Sequence, residues 1–311
     1  MKKVFVFVIL STVVLASLCG LTGCSAAGSV TYANADRYSV GDAEITDKIE
    51  NMEIDWPSGS VSMVSHSGST FLLSERAEAG MPEDLRVHWW LEGTTLHIKF
   101  AASGASLLSF RAWHKDLTLT VPETLSFDDV TVRAASAEIN ADDLAAETLS
   151  VSTASGNVRI RCAANSIRLN SASGNIQLTQ RDRAGEVMID TASGKITADL
   201  NRVDTADFES SSGRITVTAA SVDSLSVKAT SGDVSCALEA TPAKCRLHAV
   251  SGAVTLSLPE DADFTAAISM TSGDFASDFA LKKDGNTYIC GSGTADIDIH
   301  TTSGNVSIRQ K

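Results

Sequence analysis

The sequence predicts an all-β chain whose larger part is a parallel β-solenoid with rungs of about 19–20 residues. An alternating apolar run, a Ser-Gly pair and a second alternating run occur eight times between residues 153 and 308. Their glycines are Gly156, Gly174, Gly194, Gly213, Gly232, Gly252, Gly273 and Gly304. The steps between them are 18, 20, 19, 19, 20, 21 and 31 residues. A nearly constant period of this size is typical of stacked repeats.

Two positions around each glycine are apolar in every copy. Position +2 is Val158, Ile176, Ile196, Ile215, Val234, Val254, Phe275 and Val306. Position −5 is Val151, Leu169, Ile189, Phe208, Val227, Leu247, Ile268 and Ile299. Position +4 is mostly apolar as well. The spacing of two residues between positions +2 and +4 is the period of a strand with one buried face. One repeat cannot bury its own face, so the copies are expected to stack. A β-sandwich would not need the same residue at the same phase.

The Ser-Gly pairs predict a corner in each rung. Inward positions are odd-numbered before the glycine and even-numbered after it, so the strand has to bend between them. Glycine adopts positive φ without a Cβ clash, and we therefore interpret the eight glycines as structural turn residues. The serines before them, Ser155 to Ser303, are predicted to form a column of hydroxyls that bond backbone at the corner. They have no neighbouring base in the sequence, which favours a structural role over a role as nucleophiles.

The amino-terminal residues have the pattern of an exported lipoprotein. Lys2 and Lys3 precede an apolar run from Val4 to Leu18, and Leu21-Thr22-Gly23-Cys24 resembles the bacterial lipobox. Residues 1–23 are thus predicted to be a lipoprotein signal peptide, with Cys24 the acylated first residue of the mature chain. A plain signal peptide with an incidental cysteine is the alternative. Residues 24–44 are interpreted as the lipidated cysteine and a tether, which predicts membrane attachment through lipid on the extracytoplasmic side.

Residues 45–125 are predicted to be an N-terminal β region that leads into the solenoid of residues 126–311. A hairpin with its turn at Glu92-Gly93 is expected to pair Trp89 with Leu96 and to place His88 opposite His97. Two facing histidines could hold a metal or sense pH, but an exposed polar pair is the favoured interpretation because no third ligand is near. Ala137 stands where the first full repeat would have its glycine.

Net charge and cysteine positions narrow the possible classes of function. The formal net charge is −13, and it becomes −15 when a leader with two lysines is removed, from 23 basic and 38 acidic residues. This charge argues against binding nucleic acid through a basic surface. Cys162, Cys236 and Cys245 fall at inward positions, and only Cys236 with Cys245 is considered as a disulfide. No metal-ligand spacing is present, so no cofactor is predicted.

Several motifs occur in a recognisable order. They are Ile54-Asp55-Trp56 with Gly59 and Val61, the strand Leu117 to Pro122, the Ser-Gly repeats, and Gly291-Ser292-Gly293-Thr294 before the last repeat. In this order they resemble a bacterial family of "putative surface adhesins" built from β-strand repeats, a domain of unknown function. The resemblance implies a β-solenoid on an exported or envelope protein, and it supplies no catalytic residues.

Three classes of function remain from the sequence. The first is a non-enzymatic binding or scaffold module, whose candidate partners are a cell-wall polymer, an envelope protein or a host protein. The second is a polysaccharide lyase or hydrolase, for which Asp233 and Asp274 at position +1 are the acidic candidates. The third is a component of an envelope-stress sensor. Because the +1 column varies in residue type and shows no acid/base pair, the binding module is the preferred prediction.

Overall fold

The computed structural model describes residues 31–106 and 115–311. The predicted signal peptide, Cys24 and the first part of the tether lie outside these residues. Two short 3₁₀ turns, Ala35–Arg37 and Glu83–Leu85, accompany the strands. The strands are β1 (Ser39–Val40), β2 (Ala43–Ile45), β3 (Asn51–Trp56), β4 (Ser60–His66), β5 (Phe71–Ala77), β6 (His88–Glu92), β7 (Thr95–Lys99), β8 (Lys115–Pro122), β9 (Phe127–Ala134), β10 (Glu138–Ser155), β11 (Val158–Ser173), β12 (Ile176–Ser193), β13 (Ile196–Ser212), β14 (Ile215–Ser231), β15 (Val234–Leu238), β16 (Lys244–Ser251), β17 (Val254–Leu258), β18 (Phe264–Ser272), β19 (Phe275–Ser277), β20 (Lys282–Asp284), β21 (Thr287–Cys290), β22 (Ala295–Ser303) and β23 (Val306–Gln310).

The chain forms a stack of parallel levels, which confirms the predicted solenoid. Each level has one arm that leads into the corner and one arm that leaves it, and each arm pairs with the same arm of its neighbours. β10 to β14 run continuously from the corner of one level to the corner of the next. Strands this long arise because the chain passes the far corner of each level with only a small irregularity, such as the one between Cys162 and Ser166.

The apolar columns fill the space between the two arms. Every residue of the −5 column is buried, and so is every residue of the +2 column except Phe275, which is half-buried in the last level. Position −7 continues the core with residues such as Leu149, Val187 and Leu225. Alternation along each arm thus sends every second side chain into a narrow core, as a strand period of two requires.

The levels do not follow sequence order at the amino-terminal end. β3 pairs in parallel with β9 on one side and with β7 on the other, and β4 lies likewise between β10 and β8. The repeat around Gly59, which comes first in the sequence, is therefore the second level of the stack. β7 and β8, which come later, form the outermost level.

The same arrangement occurs at the carboxy-terminal end. β22 lies between β16 and β18, and β23 lies between β17 and β19. The last repeat in the sequence is therefore inserted between the repeats of Gly252 and Gly273. The chain has to return to reach this position, which explains the step of 31 residues between Gly273 and Gly304. The excess residues form a hairpin and a return turn at the end of the stack.

Charge favours this insertion. The register places Asp296 beside Lys244 and Asp298 beside Arg246 on the outer side of adjacent arms. Opposite charges on neighbouring strands stabilise a pairing, and like charges oppose it. The corresponding residues of β18, Thr265 and Ala267, are uncharged, so β22 fits beside β16 better than β18 would.

Antiparallel strands close both ends of the stack. β5 pairs with β8 and β2, and β6 pairs with β7 and β1 at the amino-terminal end. At the other end β21 pairs with β18, and β20, with the exposed sequence Lys282-Lys283-Asp284, pairs with β21. Short, charged edge strands prevent one stack from extending into another.

The turn of the β6–β7 hairpin lies one residue later than predicted, which shifts the pairing of the two strands by two residues. Its loop is Gly93-Thr94, so Trp89 pairs with Ile98 and Trp90 pairs with His97. Gly93, with φ of +61°, takes the first loop position, where a left-handed conformation is needed. His88 lies opposite Lys99, is buried and bonds the carbonyl of Arg86, so the expected facing of His88 and His97 is wrong.

The described residues before position 45 pack against the amino-terminal strands. Tyr32 donates its hydroxyl to the carbonyl of Ala101, and Ser39–Val40 pairs with β6, so the folded region begins within the segment assigned to the tether.

Cys236 and Cys245 are free and buried on opposite arms, and the disulfide considered from the sequence is not formed. Burial raises the pKa of the Cys236 thiol to about 12, as expected for a cysteine that packs as a small hydrophobe.

Candidate binding surfaces

The corner glycines are required by close approach between levels. A Cβ on Gly213 would lie 1.9 Å from the carbonyl oxygen of Gly194, and each of the other seven repeat glycines would meet a backbone oxygen at 2.0–2.2 Å. Seven of the eight also have a φ between 128° and 157°. Gly194 does not share that φ range, yet its Cβ would lie 2.0 Å from the oxygen of Gly174. Crowding against the neighbouring level is thus the constraint that all eight share.

Hydrogen bonds at the corners come from backbone rather than from serine hydroxyls. The N–H of Gly156 donates to the carbonyl of Ser173, and the pattern continues through the stack to Gly304, which donates to Ser272. The serine side chains themselves are exposed. The serines do stack in register, but the expected bonds from their hydroxyls to the corner backbone are not what holds the corner. A separate column of hydroxyl residues, which the sequence analysis missed, lies two residues earlier inside the core, and its side-chain oxygens have no hydrogen-bond partner: Thr153, Ser171, Thr191, Ser210 and Thr301.

The +1 residues form a second ladder along the corner. The Oδ1 of Asn157 accepts the backbone N–H of Asn175 at 3.1 Å, and the Oδ1 of Asn175 accepts that of Lys195 at 3.0 Å. Asp233 accepts the N–H of Ala253 at 3.1 Å in the same way. These side chains satisfy backbone donors at the bend, so the polar +1 column has a structural role.

The two acidic candidates for catalysis do not meet. In the stack, Asp233 and Asp274 are separated by the levels of Ala253 and Asn305, which at about 4.8 Å per level puts them about 14 Å apart. A glycosidase pair needs carboxyl groups about 5–10 Å apart. The N–H of Ala253 and the guanidinium of Arg214 also lower the pKa of Asp233, which opposes a role as a general acid.

On one outer side of the leading arms, charged and polar side chains line up from level to level. This charged face consists of the outward residues at positions −8, −6 and −4 of the levels from Gly174 to Gly304. At position −4 it reads Asn170, Asp190, Glu209, Lys228, His248 and His300. The inserted strand brings His300 next to His248, with ring centroids 5.8 Å apart, and His248 lies 3.4 Å from the carboxylate of Asp298.

Asp190 is the most perturbed carboxylate of the charged face. Burial, together with Glu209 and Asp207 on the next level, raises its pKa to about 6. Lys228 and Arg168 oppose this shift more weakly. The carboxylate therefore stays partly protonated at mildly acidic pH, where its repulsion from Glu209 and Asp207 is relieved.

Replacing Asp190 with asparagine is expected to stabilise the protein at pH 7 but not at pH 4. The folded pKa lies above the ordinary value of 3.8, so the wild type loses stability as the pH rises from about 4 to about 6. After allowance for solvent screening, the gain at pH 7 should be on the order of 1 kcal/mol. Urea unfolding at both pH values measures it, with Asp284→Asn on the exposed β20 as the matched control. An equal effect of Asp190→Asn at the two pH values would contradict this explanation.

A buried ion pair fixes the amino-terminal end of the stack. Lys115 lies in the outermost level, beside Gly59, at the corner position where the repeats have glycine. Its side chain is fully buried. Its Nζ lies 2.7 Å from Oε1 of Glu75, donates to the carbonyls of Leu85 and Phe100, and sits over the Phe100 ring. Arg86 pairs with the other oxygen of Glu75. Desolvation lowers the pKa of Lys115 to about 8 against the raising effect of Glu75.

Aromatic side chains cover the outer side of the same end. The aromatic surface consists of Tyr32, Tyr38, Trp90 and His97. Tyr38 lies between Tyr32 and Trp90, with centroid distances of 4.8 Å and 5.7 Å. Trp90 stacks on His97 at 5.7 Å. These four side chains are half-buried, which leaves part of each ring exposed.

The far corners of the levels form two open clefts. One, of about 320 Å³, is lined by residues that include Arg181, Asn201 and Glu239. The other, of about 630 Å³, is acidic, with Asp223, Asp261 and Asp263. Asp263 accepts hydrogen bonds from Ser292 and Thr294, which lowers its pKa and pins the return turn of the Gly-Ser-Gly-Thr motif. Among the described residues no group of three or more His, Cys, Asp or Glu side chains is arranged to hold a metal.

Residues 81–309 match the sequence model of a known family, Toastrack DUF4097. The chain belongs to this family. That match covers well over half of the sequence and confirms the resemblance seen in its motifs. The fold of a Toastrack solenoid accounts for the repeated Ser-Gly corners and for the mostly parallel pairing. No curated protein matches the chain.

Several solved structures that match this chain have names that refer to adhesion. A "putative cell adhesion protein" from Clostridium sporogenes is 9% identical, covering 88% of this chain and 100% of that one, with a TM-score of 0.25. A "putative adhesin" from Parabacteroides distasonis is 10% identical, with coverage of 88% and 97% and a TM-score of 0.40. Another "putative adhesin", from Parabacteroides merdae, is 10% identical, with coverage of 87% and 96% and a TM-score of 0.29. In the part of this Toastrack chain that the structure describes, no helix has the length and apolar character to cross a bilayer.

Proposed function

We propose that this protein is a lipid-anchored, non-enzymatic module of the cell surface that binds an envelope or wall component through its stacked outer faces. The observation that carries the proposal is the way its polar side chains are used. The candidate carboxylate Asp233 accepts a hydrogen bond within the protein and is far from the other candidate, Asp274. Asp263 in the acidic cleft is bonded to the return turn in the same way. Because these polar groups are hydrogen-bonded within the corners, a partner would be recognised through the contact area and shape complementarity of the outer faces.

The flat outer sides of a solenoid suit a long or repetitive partner. Levels recur about every 4.8 Å, so side chains at one position form a regular column over many levels. A cell-wall polymer or a protein with an extended surface can contact several levels at once. Each contact is weak, and the sum over many levels gives useful affinity.

Cys24→Ser is expected to release the protein from membranes. The apolar run and the lipobox-like sequence predict acylation on Cys24, and two or three acyl chains suffice for stable anchoring. Metabolic labelling with a fatty-acid probe and fractionation of cells measure the effect, with Cys290→Ser as the matched control. Unchanged labelling of the Cys24→Ser protein would contradict acylation at this residue.

Binding is tested by retention on isolated envelope material. The mature chain is incubated with purified cell wall and with solubilised envelope proteins, and bound protein is recovered by sedimentation or capture. Saturable retention that persists at high salt supports recognition by complementarity. Retention that disappears at modest salt or does not saturate would indicate nonspecific charge attraction and contradict the proposal.

A further inference from the structure

The aromatic surface has few free ring faces. Trp90 is stacked on His97, and Arg37 lies over its ring at 6.0 Å from the centroid. Lys99 lies over the ring of Tyr32 at 5.8 Å. A sugar that binds to an aromatic residue stacks on a ring face, and here protein side chains already cover these faces. Ring edges and polar tips are what this surface presents.

Acidic side chains surround the aromatic surface, and some of them have basic partners. His97 lies 3.3 Å from Glu53 and 3.5 Å from Glu92, and Lys99 forms an ion pair with Asp55. Burial raises the pKa of Tyr32 to about 12, so its hydroxyl stays neutral and donates to Ala101. Burial, Tyr32 and the carboxylates of Asp55, Glu53 and Glu92 raise the pKa of Tyr38, so this hydroxyl also stays neutral. The surface thus presents neutral aromatic groups beside acidic side chains. Such amphipathic rings are enriched where protein meets the headgroup region of a bilayer.

The length of the preceding chain limits where this surface can be. Tyr32 is part of the aromatic surface, and Cys24 precedes it by eight residues. Even a fully extended chain of this length spans at most about 29 Å. If Cys24 is acylated, as proposed above, the aromatic surface is held within this distance of the bilayer. The opposite end of the stack, with the charged strand β20, has no such restraint.

We infer that the aromatic surface of Tyr32, Tyr38, Trp90 and His97 rests in the headgroup region of the membrane that holds the lipid anchor. This inference rests on the proposed function, because the anchor supplies the proximity. The contact sets the orientation of the solenoid. The amino-terminal levels face the bilayer, and the hairpin of β20 and β21 points away from it, so the outer faces are presented to partners at a distance from the membrane.

Quenching of tryptophan fluorescence by brominated lipids tests the contact. Trp113, which lies outside the described residues, is first replaced by phenylalanine so that it does not contribute to the emission. The full chain is then reconstituted into phosphatidylcholine vesicles with and without bromine on the acyl carbons nearest the headgroup. We expect brominated lipid to reduce the emission. Trp90→Phe should remove most of that reduction, because Trp56 is fully buried and Trp89 packs against the core on the opposite face of β6. Tyr38→Ser with Trp90 retained should weaken the quenching without changing sedimentation with vesicles.

The anchor and the contact are separated by two controls. Failure of the full chain to sediment with vesicles would concern the anchor alone. The same quenching measurement is therefore repeated on the Cys24→Ser mature chain, held on nickel-chelating vesicles by an amino-terminal histidine tag. A chain that is held at the vesicle but shows no quenching of Trp90 overturns the inference. A change in Trp90 emission with soluble wall oligosaccharides and none with brominated lipid would overturn it in favour of a sugar site.

Discussion

Replacement of Lys115 with methionine is expected to cost about 3 kcal/mol of unfolding free energy, the low end for a broken buried pair, because Glu75 stays fully buried and keeps only the partly exposed Arg86 as a charged partner. Both side chains of this pair are fully buried. Removing one partner of a buried pair is far more costly than removing both. Denaturant unfolding followed by circular dichroism measures the change.

Two further variants separate the cause from a general effect of losing a lysine. Lys115→Met combined with Glu75→Leu should recover part of the lost stability, since neither charge then remains in the core and Arg86, which is partly exposed, keeps water and Asp42 as partners. Lys283→Met, on the exposed strand β20, should change stability by about 0.5 kcal/mol or less. If the double variant were less stable than Lys115→Met alone, the ion pair would not be the reason.

Replacement of Gly213 with alanine is expected to cost about 2–4 kcal/mol, since its Cβ would lie 1.9 Å from the oxygen of Gly194. Neither atom can move without separating two levels, and the N–H of Gly213 is bonded to Ser231 in the adjacent level. Thermal and urea unfolding of the full chain measure the loss.

Matched glycines distinguish crowding from backbone conformation. Gly285 has a φ of +60° with nothing near its Cβ position, so Gly285→Ala should cost only about 1 kcal/mol. Gly194→Ala should cost nearly as much as Gly213→Ala, although its φ is not in the left-handed range. Arg214→Ala should do little. Equal effects at Gly213 and Gly285 would mean that φ, and not the contact between levels, makes glycine necessary.

The repeat itself could be predicted because its cause is local and periodic. The burial of Ile189 or Val217 follows from alternation along one strand, and the need for glycine follows from a bend at a fixed phase. The order of levels at the two ends could not be obtained in this way. The repeats of Gly59 and Gly304 have normal phases, and their places depend on contacts between residues far apart in the sequence.

One signal for the carboxy-terminal order was present in the sequence. Asp296 and Asp298 have the same phase as Lys244 and Arg246, and complementary charges at equal phase favour adjacent levels. Nothing comparable indicates that Lys115 enters the core, because Glu75 is 40 residues away on an antiparallel strand. The aromatic surface could not be predicted either, because His97 lies opposite Trp90 only when the hairpin turn is placed one residue later, which shifts the strand pairing by two residues.

The most direct test of binding without catalysis measures retention and turnover on the same material. The mature chain is incubated with wall polysaccharides and peptidoglycan, and bound protein, new reducing ends and unsaturated products are quantified together. We expect saturable retention and no product above the level seen with buffer alone. Reproducible turnover that is lost on changing Asp233 or Asp274 would contradict the binding module and favour a polysaccharide-cleaving enzyme.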